Sequence, residues 1–214
     1  RAIFADAPKT MVDRAKGQNT LDNSFERLPG EPLVPYGYMW RTGANDATQF
    51  TVTDDVMING QKLAAGSYSL HTIPGKSEWT IIFNGQANQW GSFNYDASKD
   101  TLRVKAKPEW VKDNQEGLAC SFDTVAEDSA TVNIRWEKIR VPFTVTVDTV
   151  AVAMAKARTF LTTAKPDDWR PRYSVGDYAV KNKLTDEGMT LLAEALRLAD
   201  AAIKAKEDYG NLAG

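Results

Sequence analysis

The sequence predicts a mainly β protein: an antiparallel β-sandwich of jelly-roll type, followed by a C-terminal helical hairpin or three-helix appendage. Three observations carry this. Short runs of alternating apolar and polar residues recur from Phe50 to Val147, at spacings of about 8–12 residues with turn residues between them. Asn59-Gly60 stands between two such runs, and that pair is the strongest short hairpin signal. At Thr149 the apolar period changes from two to about 3.6. The expected domains are a sandwich over 1–148, with a long irregular segment at 5–32, and a helical appendage over 149–214.

Residues 5–32 are rich in Asp, Asn, Pro and Gly and lack a clean period, so they read as loop with a short helix near Thr10–Lys16. Phe50–Thr53 alternates as a strand. Val56–Ile58 and Lys62–Leu63 form a hairpin about Asn59-Gly60. In "SYSLHTI", opened by Gly66, Tyr68, Leu70 and Thr72 point one way and Ser69, His71 and Ile73 the other. Pro74-Gly75 ends it, and "EWTIIF" returns to Asn84-Gly85. "TLRVKAK" sends Leu102 and Val104 inward. "LACSFDTV", "ATVNIRWEKI" and "VPFTVTV" complete the strands. The first helix runs from Thr149 to a stop at Pro166. A second starts after Pro171. A third, from Thr185, carries an apolar stripe of Leu191, Leu192, Ala195, Leu198 and Ala202.

The chain has 214 residues, enough to bury a core without metal or disulfide, and Cys120 is its one cysteine. The net charge of −2 argues against a general nucleic-acid binder. The longest apolar run, near Val150, is far short of the roughly 20 residues that cross a bilayer. A single His and a distant Cys fall short of the three or four ligands of a zinc site, so no metal and no cofactor is expected. Neither a nucleophile elbow, a P-loop nor a dinucleotide fingerprint occurs. Cys120, in an alternating strand, reads as a buried structural thiol.

"LVPYGYMWRTGANDAT", "LAAGSYSLHTIPGKSEWTIIFN", "NQWGSFNYD", "DTLRVKAKP" and "SATVNIRWEKIRVPF" together resemble the bacterial domain-of-unknown-function family numbered 2911, over Leu33–Val147. "RAIF" at the start is similar to the block that precedes "LVPYG" in that family. On this resemblance the chain begins inside the family's first block, after a strand the family usually carries. Residues 5–30 then stand as an insertion, and the helical end resembles tetratricopeptide-like helices that many relatives continue further. The resemblance implies a periplasmic or secreted bacterial protein and brings no activity or catalytic residue.

Two blocks carry candidate chemistry. Trp40 and Arg41 lie between Gly37 and Gly43, with Asn45 two residues further on: either a strand end fastened by buried bonds, or one wall of a pocket in which Arg41 anchors an anionic group and Asn45 orients it. Trp90, Phe93 and Tyr95 stand among Asn88, Gln89 and Asn94: either a loop sealing the sandwich end, or a surface on which rings stack against a saccharide or peptide while amides read its polar groups. His71 is a candidate for the same site. The ligand-binding set is therefore Trp40, Arg41, Asn45, His71, Trp90 and Tyr95. The expected function is a non-catalytic extracytoplasmic binding or interaction module, with a protein partner on the C-terminal helices. The alternatives are an envelope hydrolase using His71 or Glu78 as general base, and a structural envelope protein.

Overall fold

A computed structural model of the chain describes residues 2–15 and 27–212; the stretch 16–26 of the expected irregular segment lies outside them. The chain divides into two compact units, Arg1–Val147 and Asp148–Gly214.

The first unit contains β1 (Phe4–Ala5), α1 (Lys9–Arg14), β2 (Val34–Pro35), β3 (Thr48–Val52), β4 (Val56–Ile58), β5 (Gln61–Leu63), β6 (Gly66–Ile73), β7 (Trp79–Asn84), β8 (Asp100–Ala106), β9 (Glu109–Asp123) and β10 (Ser129–Thr146). Two four-stranded antiparallel sheets, ordered β3-β6-β7-β8 and β5-β4-β10-β9, enclose one apolar core. Phe50, Leu70 and Phe83 enter it from the first sheet, and Ile58, Val132, Ile134 and Phe143 from the second. Phe143 packs on Phe50 and Phe83 at centroid separations of 6.1 Å. Burying each such side chain contributes about 1.5–3 kcal/mol.

β1 and β2 form a small parallel pair that the short "RAIF" and "LVPYG" blocks did not signal. Its function is visible in Phe4, whose ring wedges among Trp40, Trp79 and Trp136 at 5.9, 5.1 and 5.9 Å.

Three expectations are corrected in this unit. "ATVNIRWEKI" and "VPFTVTV" are one strand, β10. Pro142 is tolerated because it falls between the pairing with β9, which ends at Arg140, and the pairing with β4 at Val145, where the registered ladder asks no bond of it. β9 starts nine residues before Leu118, in a polar stretch whose pairing with β10 shifts register twice. Cys120 is exposed rather than buried. It lies on β9, an edge strand, where alternation gives the face of the side chain but not whether the opposing sheet reaches it.

The second unit has three helices: α2 (Thr149–Thr163), α3 (Trp169–Lys181) and α4 (Thr185–Leu212). Asp148 and Asp168 cap the first two, accepting from Ala151 N at 2.8 Å and Arg170 N at 3.1 Å. α3 starts ahead of Pro171, not after it, because a proline in the first turn gives up an N–H that has no helical acceptor. Met154, Val175 and Ala179 form the core, with Leu184 and Leu191 packed on it. Of the expected α4 stripe, Ala195 is buried and Leu191, Leu192 and Leu198 are half-buried, but Ala202 is exposed. Among the described residues no helix is long and apolar enough to cross a membrane.

Candidate functional site

The two blocks singled out in the sequence meet at one end of the first sheet. Asp46 and Trp90 form an antiparallel bridge pair. Ala47 N donates to Gln89 O, and Gly91 N donates to Asn45 O, both at 2.9 Å. Asn45 and Gly91 hold left-handed backbone, with φ of 63° and 65°, so each chain turns away directly after this contact. Gly43 has no room for a side chain: a Cβ there would lie 2.8 Å from Thr48 Oγ1.

The junction frames a cleft of about 530 Å³ lined by Asp46, Ala47, Gln49, Asn88, Gln89 and Trp90. The Trp90 side chain is 61% exposed. Gln49 Nε2 donates to Asn88 Oδ1 at 2.6 Å across the cleft. The Asp46 carboxylate is exposed and is the one charge among the lining residues. A flat aromatic face beside amides and a carboxylate offers stacking area with both donors and acceptors.

Beneath this cleft lies a polar layer on the outer face of the sheet. The ladder sets Ser69 opposite Asn84 and His71 opposite Ile82, with Arg103 next across β8. These side chains share the face away from the core, yet His71, Ser69, Ile82 and Asn84 are fully buried, because residues 88–99 fold over them. Gln89 is the main fastener: its Nε2 donates to Ser69 Oγ, Asn84 Oδ1 and Gln86 O at 3.0, 3.2 and 2.9 Å. Asn84 Nδ2 in turn donates to Asp100 Oδ1 at 2.8 Å and Asp96 O at 2.9 Å. The Tyr95 hydroxyl donates to Asp100 Oδ2 at 2.5 Å, and Arg103 Nε donates to the same oxygen at 2.7 Å. Burial first, and the Asp100 carboxylate second, push the Tyr95 phenol well above its usual range. The Tyr95 ring also covers His71, at 5.1 Å between centroids.

Each expected site residue thus has a definite position. Trp90 is at the cleft. Tyr95 and His71 belong to the layer beneath it. Asn45 meets Gly91 through its backbone carbonyl. Trp40 is buried between the sheets, stacked on Trp136 at 5.9 Å, and donates from Nε1 to Gly43 O at 3.3 Å. Arg41 is half-buried and does not line the cleft. Glu78 is at the opposite end of β7 and pairs with Lys105 at 3.0 Å. Asp46, Gln49 and Asn84 were not singled out as site residues in the sequence, where an isolated Asp or amide carries no signal of its partners. Among the described residues no group of three or more His, Cys, Asp or Glu is placed to hold a metal ion.

A family model described as "Protein of unknown function (DUF2911)" matches residues 24–145. No curated protein and no solved structure matches the chain.

Proposed function

The chain belongs to the DUF2911 family, whose function is unknown; from its own geometry we propose that the sandwich unit is a non-catalytic module that binds a neutral saccharide at the Trp90 cleft. The observation that carries this is the exposed Trp90 ring set beside Gln49, Asn88 and Asp46 in one cleft. An indole face packs on the apolar face of a sugar ring, while amides and a carboxylate pair with its hydroxyls. Asp46 is unfavourable to an anion, and the lining residues hold no cation to offset it. The anion anchor expected of Arg41 is therefore dropped from the reading. His71 serves by supporting the loop, since its ring is sealed beneath Tyr95.

The reading includes an extracytoplasmic location, carried by the family resemblance. It also includes a partner for the helical unit. Trp169, Tyr173, Leu192 and Leu196 line an apolar groove between α3 and α4 of about 290 Å³. An amphipathic helix of a partner protein would set its apolar face there.

The test is a titration of the full chain with neutral oligosaccharides, anionic oligosaccharides and short peptides, followed by tryptophan fluorescence and melting temperature. Neutral sugars are expected to bind, and Trp90→Ala to weaken them by roughly tenfold or more. Binding by peptides or anions alone, or binding unchanged in Trp90→Ala, overturns the proposal.

A further inference from the structure

The core face of the second sheet continues past the first sheet at β9. Across the β9–β10 ladder Phe122 pairs with Val132 and Cys120 with Ile134. Directly opposed residues share a face, and Val132 and Ile134 are buried core. Phe122 is nevertheless 64% exposed and Cys120 is exposed, while Leu118, two residues earlier on the same face, is only partly covered. β9 ends the sheet order, so its outer backbone groups have no strand partner among the described residues.

The two halves of this edge differ. Over 109–117 it carries Lys112, Asp113, Glu116 and Gly117, and its pairing with β10 is interrupted by two register shifts. Charges and bulges of this kind blunt an edge against further pairing. Over Leu118–Phe122 there is no charge, and the register is regular from Ala119 to Asp123.

We propose that this run pairs with the same run of a second copy, antiparallel about Cys120, to give a homodimer with a continuous sheet. The run is self-complementary in that register. Leu118 of one copy falls opposite Phe122 of the other, twice, and Ala119 falls opposite Ser121. The two Cys120 residues meet at the axis, and the one charge that follows, Asp123, faces Gly117. An isologous interface needs this self-matching, and a strand partner satisfies the edge N–H and C=O groups as well as covering the apolar side chains. The short run buries less than a standard interface of about 1,600 Å², so the dimer is reversible and forms on concentration.

The experiment is sedimentation of the full chain from micromolar to near-millimolar concentration, combined with cross-linking by a short bismaleimide. The mass is expected to double with concentration, and Cys120 to cross-link. Phe122→Lys and Cys120→Lys, both at exposed positions, are each expected to stay monomeric with an unchanged melting temperature; either alone suffices if the other fails to fold. Moving the thiol, as Cys120→Ala with Asn114→Cys, is expected to abolish the cross-link while leaving the dimer. A monomer throughout, a dimer that survives Phe122→Lys, or equal cross-linking at position 114 overturns the proposal.

Discussion

The Gln89 side-chain amide donates to Ser69 Oγ at 3.0 Å, and this contact ties the loop that carries Trp90 to the outer face of β6. The same nitrogen reaches Asn84 Oδ1 and Gln86 O. Gln89→Ala is expected to cost about 1–3 kcal/mol, because it removes the donor group shared by two buried acceptors and one half-buried one. Ser69→Ala removes one acceptor and should cost less. Denaturant unfolding gives the stabilities, and amide exchange over 86–96 should rise in Gln89→Ala. Unchanged exchange there would mean the backbone bonds at Asn45 and Ala47 hold the loop alone.

Tyr95 gives a dependence on alkaline pH. Its phenol is held above the ordinary value of about 10 in the folded chain. The folded state therefore keeps a proton that the unfolded state loses first. Stability is fully present below about pH 10 and falls as pH rises beyond it. Tyr36 and Tyr68 are raised in the same sense by burial. Tyr95→Phe should thus flatten the alkaline decline without removing it, measured as unfolding free energy against pH. An unaltered slope would mean that the phenol titrates alike in both states.

How far the sequence reveals this molecule depends on which force sets each element. Alternation in "SYSLHTI" separates Tyr68 and Leu70 from Ser69 and His71 correctly, because pleating alone decides it. It cannot tell that the second face is also buried, since the cover comes from residues 88–99, far along the chain. The alternating signal begins only at Leu118 and misses Lys112 to Gly117, because an edge strand open to water needs no apolar partner on either face. Trp90 and Tyr95 stand out by residue type. Their separation into a cleft residue and a supporting residue follows from Asp100 and Arg103, which catch the Tyr95 hydroxyl. Asp46 carries no local pattern, and only the bridge to Trp90 brings it to the cleft.

The α3–α4 crossing depends on two glycines. A Cβ on Gly188 would lie 2.8 Å from Gly176 O and 2.8 Å from Val180 N; a Cβ on Gly176 would lie 3.0 Å from Gly188 O. Replacing a helical glycine by alanine gains about 0.5–1 kcal/mol in backbone entropy. Forcing packed backbones apart costs about 1–3 kcal/mol. The second effect wins at Gly188, where backbone atoms stand too close to yield. Gly188→Ala is therefore expected to destabilise the helical unit, and by more than Gly176→Ala, as followed by helical circular dichroism on heating. A stabilised Gly188→Ala would mean the helices separate at little cost.

Phe4 tests whether β1 belongs to the cooperative fold of the sandwich. The strand is held to the β2 segment by only a few backbone bonds, among them Val34 N to Ile3 O and Tyr36 N to Ala5 O, each 2.8 Å. Its hold on the core is instead the ring of Phe4 among three tryptophans. A buried Phe→Ala change costs about 3–5 kcal/mol, and the half-buried Phe4 belongs at or just below the lower end of that range. Phe4→Ala should also alter near-ultraviolet circular dichroism, because the indoles of Trp40, Trp79 and Trp136 lose their shared neighbour. Phe93→Ala, at an exposed ring in the loop over the sheet, is the control for simple loss of an aromatic side chain. If the two variants unfold at the same denaturant concentration, β1 frays independently. Trp40 is then held by the sheets and by its own bond to Gly43, without help from Phe4.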